Sequence, residues 1–146
     1  MFTGEHPLTI DEKGRLAVPA RFRQLLAETH GPQLYVVPIT NSERPAHLEV
    51  FPAPVFKQIA DQIDELQDAE AAETLKQELI GRAMLTELDA QGRITLTQKL
   101  RDEVRLNGRA LVVGQSKRFD IWDETVYGST RADAEKFSRA LRLIKR

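Results

Sequence analysis

The chain writes one phrase twice, and that repetition limits what it can fold into more than any other feature. DEKGRLAVPARFR at residues 11–23 returns as DAQGRITLTQKLR at residues 89–101. A shift of 78 positions lays Asp11 on Asp89, Gly14 on Gly92, Arg15 on Arg93, Leu16 on Ile94, Val18 on Leu96, Phe22 on Leu100 and Arg23 on Arg101. Spacing and side-chain chemistry are kept together, which argues for an internal duplication.

Each copy carries the same local logic. Leu8, Thr9 and Ile10 approach Asp11 as an apolar, β-branched strand, with Pro7 pushing it toward a sheet edge. Glu12, Lys13 and Gly14 then fit a three-residue hairpin loop whose last position is left-handed, and Ala90, Gln91 and Gly92 repeat it. Such a hairpin sets Asp11 against Arg15 and Asp89 against Arg93 as cross-strand ion pairs. On the return strand Leu16 and Val18 share the buried face, so Arg15 points outward. Pro19 opens a short helix bearing Phe22, Leu25 and Leu26, which Gly31 and Pro32 end. In the second copy Thr97 caps the helix instead, with Asn107 and Gly108 as its stop. A β-rich pair of runs follows each helix, at residues 34–39 and 48–51 and again at 110–113 and 119–122.

Between the copies the period changes. Phe56, Ile59, Ile63 and Leu66, then Ala72, Leu75 and Leu79, predict two amphipathic helices broken near Gln67. Their apolar face fits either the chain's own core or a neighbouring subunit. Residues 131–146 place Phe137, Leu141 and Ile144 at helical spacing among basic residues. The expected class is α+β. It divides into a first repeat with a helical extension (1–80), a second repeat (81–130) and a basic C-terminal helix or tail (131–146).

The net charge of −1 hides an uneven distribution. Residues 53–80 hold Lys57 and Lys76 against seven acidic residues, whereas 131–146 hold six basic residues against Asp133 and Glu135. Distribution, not the sum, decides electrostatic binding. With no cysteine there is no disulfide framework or thiol chemistry, and no apolar run approaches the ~18 residues that span a bilayer. A cytoplasmic protein without a membrane partner is expected.

Two equivalent aspartates raise the possibility of a paired-carboxylate enzyme. The arginine expected beside each favours the ionised form, where a general acid needs a raised pKa, so the chain is read as a non-enzyme. His6, His30 and His47 lack the spacing of a metal site and read as surface residues. Gly14 and Gly92 belong to no phosphate-binding motif, and no cofactor is implied. What remains is a nucleic-acid surface built from Lys13, Arg15, Arg21 and Arg23, with Arg93, Lys99 and Arg101 in the second copy. An exposed ion pair contributes only ~0–1 kcal/mol, so stability gives little reason to repeat it. An Asp11 or Asp89 that holds an arginine fork at a turn, ready for guanine or phosphate, gives a better one.

The opening MFTGEH, the DEKGRLAVPARFR phrase and the later DAQGR resemble the MraZ family of bacterial transcription regulators. The resemblance covers nearly the whole chain. It implies an AbrB-like swapped-hairpin β half-barrel with short helices, duplicated about a pseudo-twofold axis within one chain. It also implies ring-shaped homo-oligomers, nucleoid association, and repression through promoter repeats of double-stranded DNA ahead of the division and cell-wall genes. The family's Asp-x-x-x-Arg motif falls on Asp11 with Arg15 and on Asp89 with Arg93. Gln91 stands where the first copy has Lys13, and Thr97 where it has Pro19. Two other readings stand beside this one. A single-copy, antitoxin-like DNA binder of the same fold is disfavoured by the duplication, and a ring-shaped scaffold would bind proteins through the acidic helices.

Overall fold

A computed structural model describes all residues, 1–146, of the chain. The first copy runs β1 (Glu5–Thr9), β2 (Arg15–Ala17), α1 (Ala20–Leu25) with a π-helical turn (Leu26–His30), β3 (Gln33–Ile39) and β4 (His47–Pro52). Two helices follow, α2 (Ala53–Asp64) and α3 (Ala69–Leu75), the latter continued by a second π-helical turn (Lys76–Ile80). The second copy runs β5 (Met84–Glu87), β6 (Arg93–Thr95), α4 (Gln98–Glu103), β7 (Arg109–Gln115), β8 (Arg118–Asp123) and α5 (Glu124–Gly128), before α6 (Ala134–Leu141). The chain is thus α+β, with an antiparallel sheet and short helices.

Six strands form one sheet in the order β1-β7-β8-β4-β3-β5, every pair antiparallel. The first strand of each copy joins the β-hairpin of the other: β1 lies on β7, and β5 on β3. At the centre β4 meets its counterpart β8, with Glu49 opposite Asp120. The second sheet is a ribbon of β2 and β6, in which Leu16 faces Ile94. The two copies therefore share both sheets and one main core.

Strand alternation divides the apolar residues between two faces. Leu34, Val36, Leu48, Val50, Ala110, Val112, Phe119 and Ile121 turn inward to meet Leu16, Val18, Ile94 and Leu96 of the ribbon and Phe22 and Leu100 of α1 and α4. Leu16 and Ile94 are fully buried, and burial of each contributes about 1.5–3 kcal/mol. On the outer face Val37 and Phe51 pack against Phe56 of α2, while Leu111, Val113 and Trp122 pack near Val126 and Tyr127 of α5. Phe56 and Ile63 are buried, so this part of the α2 stripe serves the chain's own core. The break falls at 65–68, where the Asp68 carboxylate accepts from the Ala71 N–H to start α3.

Two expectations need correction. The turns at 11–15 and 89–93 form, but they do not join paired strands: β1 and β2 leave the turn into different sheets, as do β5 and β6. Period-two patterning selects the buried face of a strand and leaves its neighbour open. Pairing β2 with β6 sets Leu16 on Ile94 between the copies. The stop of α4 also comes earlier than Asn107. Arg105 takes φ 57°, Arg105 N–H donates to Asp102 O, and Leu106 N–H donates to Arg101 O at 2.9 Å. That is a Schellman ending with arginine in the position glycine usually fills. Thr97 caps α4 as expected, its hydroxyl accepting from Leu100 N–H at 3.2 Å.

Candidate nucleic-acid interface

Each turn is organised by its aspartate. Asp11 Oδ1 accepts from the backbone N–H of Arg15 at 2.9 Å and of Lys13 at 3.0 Å, which leaves Oδ2 to receive Arg15 Nε at 2.6 Å. Asp89 repeats this with Arg93 N–H and Gln91 N–H on Oδ1, both at 2.9 Å, and Arg93 Nε on Oδ2 at 2.9 Å. Backbone hydrogen bonds from Arg15 and Arg93, with the guanidinium contacts behind them, hold both carboxyls below the ordinary 3.8. The aspartates are therefore ionised acceptors and poor general acids. In the second copy Gln91 Oε1 also accepts from Arg93 Nη2 at 2.8 Å, a tether the first copy lacks because Lys13 stands there.

The ribbon brings the two turns onto one surface. Arg15 lies opposite Thr95 and Arg93 opposite Ala17, while Leu16 and Ile94 point into the core, so both arginines stand on the outward face. One inter-strand step and two residues of rise separate them, roughly 8 Å between Cα atoms. Beyond the strands, Leu96 N–H donates to Gly14 O at 2.8 Å and Val18 N–H donates to Gly92 O at 3.0 Å, so each turn is clasped by the other copy.

The remaining basic residues separate into groups. Arg101 lies beside Gly14, with Nε donating to Leu96 O at 3.1 Å, and Arg23 lies beside Gly92 of the other turn. These two arginines brace the turns from opposite copies. Gly14 and Gly92 have φ of 79° and 76°, and a Cβ on either would overlap its neighbour. Lys13 is exposed at the first turn. Arg21 instead lines a cleft of about 390 Å³ with Met1, His6 and Glu28, beside the N-terminal segment. Lys99, its counterpart, is exposed near the start of α4.

Sequence reasoning missed a charged cluster where β4 crosses β8. Glu49 lies opposite Asp120, flanked by His47 stacked on Trp122 (4.1 Å between ring centres) and by Arg118 over Phe51. His47 is 1 % exposed and Asp120 0 %, so His47 is an interior residue and the surface reading is corrected. His47 sets Nδ1 2.9 Å from Pro45 O and Nε2 3.0 Å from Glu49 Oε2, while Arg118 Nε donates to Asp120 Oδ1 at 2.9 Å. Burial alone would raise Glu49, but the His47 hydrogen bond and the Arg118 charge outweigh it and hold the carboxyl low. For Asp120 burial wins over the Arg118 contacts and pushes the carboxyl up. Donor atoms of His47, Glu49 and Asp120 lie within 4.8 Å of one another, a spacing suited to a metal, yet the Arg118 guanidinium already occupies the place of a cation. The signal in the sequence was His-x-Glu and Arg-x-Asp inside otherwise apolar strands.

The duplicated turns can be set against known proteins. The family model for the MraZ protein, whose description likens it to antitoxins, matches residues 1–79 and again 79–142. The chain belongs to the MraZ family. The transcriptional regulator MraZ of Shewanella piezotolerans is 38 % identical over 128 residues, covering 87 % of this chain and 82 % of that protein. The protein of the same name from Marinobacter nauticus is 36 % identical over 124 residues (84 % and 81 %), and that of Coxiella burnetii 34 % over 134 residues (91 % and 86 %). The two MraZ matches meet at residue 79, within the second π-helical turn (Lys76–Ile80) and ahead of β5.

Proposed function

We propose that this MraZ-family chain is a sequence-specific DNA-binding regulator of transcription that reads promoter repeats through the β2–β6 ribbon. One observation carries the reading: two Asp-held arginines, Arg15 and Arg93, are presented side by side on one outward face of the ribbon. A guanidinium held at Nε by a carboxylate keeps its Nη groups for other acceptors, with Arg93 sharing Nη2 with Gln91, and two N–H donors match the O6 and N7 of guanine or a phosphate. The names of the relatives support regulation of transcription. The cross-pairing of β1 with β7 and of β5 with β3 supports assigning the chain to the AbrB-like swapped-hairpin class, with 1–80 and 81–130 as its two copies.

In this reading Arg15 and Arg93 contact bases, Lys13 contacts phosphate, and Arg23 and Arg101 hold the turns in register while lending positive charge. Arg21 and Lys99 lie farther out along α1 and α4 and meet flanking phosphates. The regulator acts on the division and cell-wall gene cluster, its own gene included, and represses it as a ring-shaped homo-oligomer spanning several repeats. Each chain offers only two arginine turns, so linking sites in one assembly supplies the missing affinity; linkage alone gains ~10² to 10⁴ in avidity. Footprinting on the region upstream of the encoding gene tests this. Periodic protection of short repeats is expected, and its absence at low salt, where electrostatic binding is strongest, would sink the proposal.

A further inference from the structure

The two ends of the sheet carry complementary surfaces that one chain cannot bring together. At the β5 edge, Tyr35, Phe56, Ala60, Ile80 and Ala83 line an apolar cleft of about 600 Å³ under α2. Leu85 extends that surface to the sheet margin: it lies opposite Tyr35 in the ladder, hence on the same face, and is 51 % exposed. The helices roofing this end are acidic. Residues 53–80 have seven acidic and two basic side chains, a net of −5. At the other end α6 adjoins the β1 edge, Phe137 lining a cleft with Glu5 of β1 and with Tyr127. Residues 131–146 have six basic and two acidic side chains, a net of +4.

The apolar stripe of this basic segment is uncovered: Phe137 is 59 % exposed and Ile144 62 %. A helix of eight residues, capped by Asp133 on Lys136 N–H at 2.8 Å, is too short to be stable on propensity alone. It needs a surface to lie on. The edges β1 and β5 are five strand spacings apart, roughly 24 Å, so the apolar cleft of the same chain is out of reach.

We infer that residues 131–146 of one copy dock by Phe137 and Ile144 into the Tyr35–Leu85 cleft of the next copy, basic side chains against the acidic α2–α3 surface. The occupant is a second copy of this chain, chosen by charge complementarity and by the placement of the two surfaces at opposite edges. Such a contact is head-to-tail, each copy using a different patch on each side, and it propagates until it closes or runs on as a filament. The inference deepens the oligomer named above and rests on that reading.

Two variants and their mixture test it by light scattering and sedimentation, with circular dichroism to check folding. Phe137→Asp with Ile144→Asp removes the inserting face, and Leu85→Lys spoils the receiving one; all three side chains are exposed, and charge on an edge strand is tolerated. Each variant alone is expected at the 16.5 kDa mass of one chain, and an equimolar mixture at twice that mass, since one intact pair of surfaces remains. Higher salt should weaken the wild-type assembly, because exposed charges are screened. If the wild-type protein assembles and the Phe137/Ile144 variant assembles equally, the docking inference is wrong while the oligomer stands. The Leu85→Lys variant forming dimers by itself would mean an α6-to-α6 contact and also overturn it. A wild-type protein monomeric at all concentrations would remove the oligomer reading too. Loss of DNA affinity or binding to anionic vesicles by the Phe137/Ile144 variant at unchanged assembly size would assign α6 to DNA or to a membrane surface instead.

Discussion

Gly14→Ala and Gly92→Ala look equivalent in sequence, yet the structure separates their costs. Both residues sit at φ near +78°, where a side chain costs about 1–2 kcal/mol. At Gly14 the new Cβ would overlap the carbonyl oxygen of Leu96, backbone that cannot move without disturbing the Leu96 N–H to Gly14 O bond across the ribbon. Losing that bond adds about 0.5–1.5 kcal/mol, so Gly14→Ala should cost about 1.5–3.5 kcal/mol. At Gly92 the atoms nearest the new Cβ all belong to the side chain of Arg23, which is exposed and swings aside, so the backbone conformation is the larger part of the cost. The stabilisation alanine brings by restricting the unfolded chain is common to both and cancels in the difference. The melting temperature should therefore fall by about 3–14 °C in Gly14→Ala and by about 1–6 °C less in Gly92→Ala. Gly92→Ala melting as low as Gly14→Ala would show that the cross-copy overlap contributes nothing. An unchanged melting temperature for Gly14→Ala would refute the left-handed turn itself.

Other outcomes are sharp enough to check. Arg15→Ala and Arg93→Ala should each weaken operator binding by about 1–3 kcal/mol in a gel shift at fixed salt, with melting unchanged, because both side chains lie outside the core. Asp11→Asn should cause a smaller loss by freeing the Arg15 fork. Since Asp11 and Asp89 are held below 3.8, whatever stability they contribute is present above that pH and disappears only as pH falls through their lower folded values, so mild acid should leave the turns intact. Asp120 has the opposite sign: its folded carboxyl is raised, so stability falls as pH climbs from 3.8 through the raised value, and Asp120→Asn should flatten that slope in melts across pH. Arg105→Gly should raise stability by about 1 kcal/mol, since glycine occupies a left-handed helix end without strain; a lower melting temperature would mean the Arg105 side chain holds something in place.

Much of the candidate surface was legible in the residues. Asp11 and Arg15 are close in sequence, so one tight turn settles their geometry, and the glycine, the period-two strand and the Thr97 cap are local rules. Copying them at Asp89 and Arg93 made the turn recognisable. The helix break at 65–68 was local too, because an aspartate that caps a helix acts within three residues. What failed was everything that depends on a distant partner. Alternation told that Leu16 is buried but not that Ile94 covers it, and it suggested a β1–β2 hairpin that does not form.

Arg23 and Arg101 looked like surface charge, and only the joined copies show each braced against the other's turn. His47 looked like a surface histidine because nothing near it in the chain reveals Trp122 or Asp120, which are brought to it by the β4–β8 seam. The duplicated turn, its charge and its glycine could be read from the residues alone, since they follow from interactions among neighbours. Which strand pairs with which, where Glu49 and Asp120 meet, and that both arginine forks share one face emerge only when the two copies pack together. Those depend on burying two half-cores against each other, a condition no single segment of the chain encodes.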